Sequence, residues 1–293
     1  MLRDKKNRRD DLKEFLPETF EKLLSGYKVS TSKTKEQAWN EIFDSIDGIN
    51  QAKVVPLASY ILRIAASLLV VLGLAGSIYF FVYGDVEIAI PKGSQIVHFL
   101  PDSSETIINA DSRLEYNKNT WFLNRSVRLS GEALFKVKKG SRFQVETQNS
   151  ITTVLGTVFN VYSRSGITEV SCIEGKVKVS SKNNSNAEIL TKGNEVKTIG
   201  NTMEKTVHSG SYNQKDAWTQ GDFYFTNAPI NSVIDELERQ FDVDIFFDGD
   251  TNRFYTGYFS NKNLNDALDL VCIPMDLQWE SSNKVIILND KNK

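Results

Sequence analysis

Residues 64–82 read IAASLLVVLGLAGSIYFFV, and the whole stretch from Ile64 to Gly84 contains no charged residue. At about 1.5 Å per residue, a helix of this length just crosses a hydrocarbon core of about 30 Å. A secretory signal peptide is the alternative interpretation, but it would follow a short basic lead, whereas 63 residues precede this stretch. The stretch therefore predicts one transmembrane helix, which we assign to residues 61–83.

The charges on the two sides of this helix predict its orientation. Residues 1–63 carry 12 Lys and Arg, including Lys53 and Arg63 close to the span, whereas the 20 residues after Gly84 carry only Lys92. Because positive charge favours the cytoplasmic side, we expect the N-terminus in the cytoplasm and the long C-terminal part outside it. The formal net charge of −2 for the whole chain gives no indication of a nucleic-acid partner.

The N-terminal arm, residues 1–56, contains two short amphipathic patterns, LKEFLPETFEKLLSG at 12–26 and KTKEQAWNEIFDSIDG at 33–48. Each predicts a helix with one apolar face. Two such helices bury little apolar surface, so the pattern indicates either a small isolated bundle or, as we favour, a segment that binds a partner. The apolar residues expected to contact this partner are Leu16, Phe20, Leu23, Trp39, Ile42, Phe43 and Ile46.

After Gly84 the apolar period changes from about 3.6 to 2, as in VRLSGEALFKV at 127–137. Asp, Asn, Ser and Gly interrupt the alternating runs at intervals of about ten residues, which predicts an all-β sandwich, barrel or solenoid over 85–212. From Ala217 the order becomes strand, helix, strand, then strand, helix, strand, strand. This order predicts a separate small α+β domain at 217–290.

Several motifs occur in a fixed order outside the predicted helix. LPDSS at 100–104 with Asn109-Ala110, VRLSGEA at 127–133, LGTVFNV at 155–161 and EGKV at 174–177 resemble the FecR-type transmembrane anti-sigma regulators of Gram-negative bacteria. Ser103 stands where that family usually has Gly. In the tail, Leu237-Glu238-Arg239 and Tyr255-Thr256-Gly257 resemble the family's C-terminal domain, which is similar to the short N-terminal domain of secretins and TonB-dependent transducers.

The resemblance implies a signal relay rather than an enzyme with a cofactor. An outer-membrane TonB-dependent transporter would pass a signal to the C-terminal domain, and the cytoplasmic arm would change its binding of an extracytoplasmic-function sigma factor. The chain would be a single-pass inner-membrane protein with a periplasmic C-terminus. The sequence does not identify which residues bind the transducer.

The Gly156-Thr157 pair has two interpretations. In some members of the family the matching bond breaks autocatalytically, because the threonine hydroxyl attacks the preceding glycine carbonyl. The structural alternative places Gly156 in a bulge or turn between two strands and Thr157 in a strand, which suits its β-branched side chain.

Other reactive residues give weaker indications. Cys172 and Cys272 lie in apolar contexts that predict buried free thiols, and His98 and His208 have no neighbours at metal-ligand spacing. Three acidic residues that could be imagined as a paired-carboxylate site are expected to form hydrogen bonds at turn edges. They are Asp102, Glu132 and Glu174.

Two other classes of protein compete with the regulator. A membrane-anchored envelope structural or secretion-associated protein could also carry a secretin-like domain, but it would not need the apolar faces of the arm. An anchored hydrolase would need convergent catalytic groups, and the sequence offers none.

Overall fold

The computed structural model describes residues 33–49, 57–183, 186–200, 202–207 and 215–291. Contacts between Cα atoms divide the chain into two units, Met1–Leu72 and Gly73–Lys293, and each is described by itself. The candidate contact residues Leu16, Phe20 and Leu23, and also His208, lie outside the described residues.

Helix α1 (Lys35–Ile49) covers most of the second amphipathic pattern of the arm. Its start follows from a reciprocal arrangement in which the Gln37 backbone N–H donates to the Thr34 carbonyl at 2.9 Å, and the Gln37 side-chain oxygen accepts from the Thr34 N–H at 3.0 Å. This satisfies donors that a helix start leaves free. Lys33 Nζ lies 2.8 Å from Glu41 Oε1 on the exposed surface.

Helix α2 (Leu57–Val82) contains the uncharged stretch and begins four residues before the predicted span. Its segment Ala58–Val82 has a mean hydropathy of 2.2, and none of the window that gives this value is buried. It is therefore long and apolar enough to cross a membrane.

Thirteen strands follow α2 and form two sheets that share one strand, β5. The first sheet has the order β1-β4-β5-β6-β7-β10-β11, and the second joins β2-β3-β5-β8-β9-β12-β13. The strands are β1 (Asp85–Ile90), β2 (Ile96–Phe99), β3 (Glu105–Ile108), β4 (Ser112–Asn117), β5 (Arg125–Lys136), β6 (Phe143–Glu146), β7 (Ser150–Val154), β8 (Val158–Arg164), β9 (Ile167–Glu174), β10 (Lys176–Ser181), β11 (Ala187–Thr191), β12 (Asn194–Ile199) and β13 (Thr202–Val207).

Gly131 marks the point at which β5 passes from one sheet to the other. Residues 127–130 pair with β4, whereas 131–136 pair with β8. Gly131 has a φ of +108°, and a Cβ there would lie 2.3 Å from Ser112 Oγ, so no larger residue fits this close approach. One apolar core fills the space between the sheets, with Phe135, Phe143 and Phe159 at its centre. The large all-β region is thereby confirmed.

The C-terminal region alternates strands and helices in the order that the sequence predicts. Strands β14 and β16 form one antiparallel pair, while β18 lies between β15, which is parallel to it, and β17, which is antiparallel. The elements are β14 (Asp222–Pro229), α3 (Ile230–Phe241), β15 (Asp244–Phe247), β16 (Phe254–Ser260), α4 (Leu264–Cys272), β17 (Leu277–Ser282) and β18 (Val285–Asp290), with 3₁₀ turns at Ala217–Gln220 and Ile273–Met275.

The apolar core of the C-terminal region extends into the β region. Ile107 of β3 and Leu134 of β5 belong to the same buried cluster as Ile230, Leu237 and Phe259. The β region and the C-terminal region therefore pack against each other within one compact unit.

Candidate functional site

The apolar face of α1 is the described part of the predicted partner-binding surface. Trp39 is 36% exposed, Ile42 is 50% exposed and Phe43 is partly buried. The ring centroids of Trp39 and Phe43 lie 6.1 Å apart, which places both rings on one side of the helix. Ile46 lies within α1, and its side chain is outside the described set. Within the part of the chain that the structure describes, the face therefore offers two aromatic rings and an aliphatic side chain that keep part of their surface exposed.

The Gly156-Thr157 pair lies in the short connection between β7 and β8. A Cβ at Gly156 would lie 2.7 Å from Lys139 Cα, so glycine is required by the close approach of two backbones. Thr157 is buried, and its hydroxyl donates to the Lys176 carbonyl at 2.9 Å. This hydrogen bond gives the hydroxyl a structural partner, and a peptide carbonyl is not a base that could activate it.

One of the three candidate carboxylates, Glu132, has a role that differs from the turn-edge expectation. Glu132 lies inside β5 and is buried, because its backbone belongs to the stretch that changes sheets. Asp102 lies in the turn after β2, where it accepts from the Ser104 backbone N–H at 2.9 Å as expected, and it also forms an ion pair with the buried Arg125. Arg125 in turn donates to the Ser141 carbonyl at 2.6 Å and to the Lys138 carbonyl at 3.1 Å. The turn-edge prediction is thus wrong for Glu132.

Glu132 is the centre of a polar cluster that we call the carboxylate junction, formed by Asn109, Glu132, Asn160, Glu236 and Gln240. The two carboxylate oxygens of Glu132 accept from Asn109 Nδ2 at 2.9 Å and from Asn160 Nδ2 at 2.8 Å. Gln240 Nε2 donates to Asn109 Oδ1 at 3.0 Å and to Glu236 Oε1 at 2.8 Å. The junction therefore connects strands β5 and β8 and the residue that follows β3 with helix α3.

Two further side chains of the C-terminal region bind the junction. Trp218 Nε1 donates to Asn160 Oδ1 at 3.2 Å, and the Arg239 guanidinium donates to Glu236 Oε2 at 2.7 and 3.1 Å. All seven side chains are buried. Because each buried amide bonds one group on either side, a displacement of α3 from the β region would leave several polar groups unpaired.

Burial dominates the electrostatics of the junction. Burial and, to a smaller degree, the nearby Glu236 raise the pKa of Glu132 to about 7, against the opposing effect of the Asn160 and Asn109 amides and the Arg164 guanidinium. Glu132 and Glu236 are enclosed by protein, so they do not form the solvent-accessible acid and base pair of a hydrolase. The arrangement suits a connection between two regions rather than a reaction.

The two cysteines match the sequence prediction, since both are buried and free. Burial raises the pKa of the Cys172 thiol to about 11 and that of Cys272 to about 12, so neither thiol ionises readily at neutral pH. His98 lies in β2, and its Nε2 is 3.1 Å from the Tyr116 hydroxyl.

The sequence analysis did not predict the carboxylate junction, because its members are separated by up to 131 positions. The one available signal was a charged residue inside the apolar run LSGEALF.

Comparisons with known proteins agree with this architecture. Two family models match, "FecR protein" over residues 86–178 and "FecR, C-terminal" over residues 222–288. A crystal structure described as a putative anti-sigma factor from Parabacteroides distasonis ATCC 8503 is 26% identical, covers 70% of this chain and 99% of its own, and has a TM-score of 0.65. A second structure with the same description has the same identity and coverage and a TM-score of 0.64. A search of curated proteins finds no match.

Proposed function

The chain belongs to the FecR family, and we propose that it is a single-span anti-sigma regulator of the inner membrane. Residues 1–56 would bind an extracytoplasmic-function sigma factor in the cytoplasm, and residues 217–290 would receive a signal from a TonB-dependent transducer in the periplasm. The family matches over both outer regions and the similar anti-sigma structures support this role. It requires no cofactor, and such regulators are typically not enzymes.

The observation that carries the proposal is the partly exposed apolar face of α1. A helix that stands alone would gain nothing from presenting Trp39, Ile42 and Phe43 to water, because burying each large apolar side chain is worth about 1.5–3 kcal/mol. A partner with a complementary groove recovers this energy. A sigma factor is the partner that accounts for both this face and the family membership.

Helix α2 supports the proposed topology. Its apolar segment accounts for one crossing, and the 12 Lys and Arg before Ile64 favour a cytoplasmic N-terminus. The β region at 85–212 and the C-terminal region at 217–290 would then lie in the periplasm. The carboxylate junction would pass a displacement of the C-terminal region to the β region and from there to the helix.

The test is capture of the sigma factor encoded beside the gene by the full-length protein in detergent. We expect a stoichiometric complex with the wild type. Trp39→Ala should weaken binding by about 30-fold or more, because buried tryptophans are frequent hot spots that contribute about 2–4 kcal/mol. Asp44→Ala, on the opposite side of α1, is the matched control and should bind like the wild type.

The alternative is a membrane-anchored envelope structural or secretion-associated protein. A folded, membrane-inserted full chain that captures no sigma factor would favour this alternative and contradict the anti-sigma proposal. Equal capture by wild type and Trp39→Ala would move the contact away from α1.

For Gly156-Thr157 we propose the structural role, with one self-cleavage event as the alternative. The hydroxyl of Thr157 already donates to the Lys176 carbonyl, and Gly156 is needed for the approach to Lys139. The mass of the full-length protein distinguishes the two. A single species of 33.1 kDa supports the structural role, and two fragments that meet at this bond would establish cleavage.

A further inference from the structure

The connection between β4 and β5 carries two largely exposed apolar side chains. Phe122 is 75% exposed and Leu123 is 67% exposed, although they adjoin Trp121, which is buried. The Trp121 ring packs edge-on against Tyr116 and Phe143, with centroids 5.5 and 6.0 Å away. The loop is therefore anchored in the core by one aromatic residue while the next two side chains point outward.

Strand register places this loop at the same end of the first sheet as the end of α2. Strand β1 begins at Asp85, directly after α2, and Asp85 pairs with Asn117, the last residue of β4. Because β1 and β4 are antiparallel, β1 runs away from the helix and β4 runs back towards it. Residues 118–124 thus extend beyond the paired strands on the side of the helix.

Hydrogen bonds attach the loop and its neighbours to the last turn of α2. Asn119 Nδ2 donates to the Phe80 carbonyl at 2.8 Å, and Asn117 Nδ2 donates to the Phe81 carbonyl at 3.0 Å. The Lys118 backbone N–H donates to the Gly84 carbonyl at 2.8 Å. The two asparagine amides satisfy carbonyls that a helix end leaves free, and the three hydrogen bonds together hold the loop beside the end of the helix.

The final turn of α2 has the composition of a membrane interface. Four aromatic side chains in or directly after this turn are exposed: Tyr79, Phe80, Phe81 and Tyr83. Aromatic residues are enriched at the boundary between headgroups and acyl chains. Residues 119–124, NTWFLN, contain no charge, and the exposed Lys118 precedes them. An uncharged loop tip with a cation at its rim is the chemistry of a segment that enters a lipid interface.

We propose that Phe122 and Leu123 insert into the lipid bilayer beside the end of α2 and form a second membrane contact for the unit Gly73–Lys293. This inference rests on the proposed membrane crossing of α2. We assign a lipid surface as the partner of these side chains because Asn117 and Asn119, on either side of the start of the loop, are hydrogen-bonded to the last turn of the helix that would cross the bilayer. With helix and loop both in the bilayer, the β region would have a fixed tilt over the membrane.

The test uses the full-length chain in vesicles of phosphatidylethanolamine and phosphatidylglycerol. Phe122→Cys is labelled with an environment-sensitive fluorophore, and Cys172 and Cys272 stay unlabelled because they are buried with raised thiol pKa values. Phe254→Cys is the matched control, since Phe254 is an exposed aromatic residue at the start of β16 in the C-terminal region. Leu123→Cys is a second probe of the same loop.

We expect the label at residue 122 to show a blue-shifted emission, loss of emission with spin-labelled lipids, and protection from aqueous iodide. The label at residue 254 should show the opposite pattern. Equal iodide quenching at both positions would overturn the proposal. Protection from iodide without lipid quenching would also overturn it, because it would indicate a protein contact such as a second copy.

Extraction of the same vesicles with alkaline carbonate separates this inference from the proposed function. If the chain stays in the membrane and captures the sigma factor while residue 122 is open to iodide, only the loop contact fails. If carbonate releases the chain, the membrane crossing fails and the loop contact fails with it.

Discussion

Helix α1 exposes apolar side chains that proteins usually bury, whereas the carboxylate junction buries charged side chains that proteins usually expose. The helix leaves Trp39 36% and Ile42 50% exposed, whereas the junction encloses Glu132, Glu236 and Arg239 in protein. Both arrangements cost free energy in the isolated chain. The difference separates two ways of completing interactions: the junction does so inside Gly73–Lys293, between the β region and the C-terminal region, whereas the arm would do so with the proposed partner.

Glu236→Gln is the substitution that we expect to destabilise the carboxylate junction most. Glu236 accepts two hydrogen bonds from Arg239 and one from Gln240, so the amide would leave the buried Arg239 without its counter-charge. Removing one partner of a buried ion pair costs about 3–5 kcal/mol. We expect a loss of this size in the free energy of unfolding, measured by denaturant titration of the full chain.

Asp235→Asn is the matched control for this change. Asp235 is exposed on the same helix, and its substitution should alter stability by less than about 0.5 kcal/mol. Trp39→Ala should cost less stability than Glu236→Gln, because Trp39 keeps 36% of its surface exposed. A small loss with Glu236→Gln would mean that the junction is open to water.

The pH dependence of stability tests the charge of Glu132. The folded-state pKa of about 7 lies above the ordinary value of 4.5, so the folded protein binds more protons between these values than the unfolded chain does. Stability should therefore fall as pH rises from 5 to 7 and then level off, by about 2–3 kcal/mol in total. Thermal or denaturant unfolding over this pH range measures it.

Glu132→Gln removes the titrating group and is the comparison for this effect. Its stability should change less over the same pH window than that of the wild type. Identical pH profiles for the two proteins would show that Glu132 is ionised throughout and held charged by Asn109 and Asn160.

The smallest effect is expected at Thr157. Thr157→Val keeps the shape and removes the hydroxyl that donates to the Lys176 carbonyl, leaving that acceptor without this donor. The expected loss is about 1–2 kcal/mol in the free energy of unfolding. Thr153→Val in β7, where the side chain is partly exposed, serves as the control. Equal losses of unfolding free energy in the two variants would contradict a special role for the Thr157 hydrogen bond.

The local elements were predictable because their signals are local. The change from a period of 3.6 to 2 after Gly84 separates helix α2 from strand β1, and the alternating order of the C-terminal elements follows from runs of four to twelve residues. Helix α2 begins at Leu57, four residues before the predicted span, because apolar composition marks the length that crosses a membrane and not the first hydrogen-bonded residue of the helix.

The junction was not predictable in the same way. Asn109, Glu132 and Gln240 are brought together only by the register of β3 with β5 and by the packing of α3. A carboxylate in a strand pattern gives no indication of which distant amides will bind it. Likewise, Ile107 and Leu134 alternate like other strand residues, and nothing local reveals that they complete the core of the C-terminal region.

The attachment of Asn117 and Asn119 to the last turn of α2 has a mechanical consequence. Only Tyr83 and Gly84 separate the helix from β1, and a Cβ at Gly84 would lie 2.3 Å from Asn117 Oδ1. The joint therefore lacks the slack of a flexible tether. A torque applied to the β region would therefore rotate the end of the helix with it.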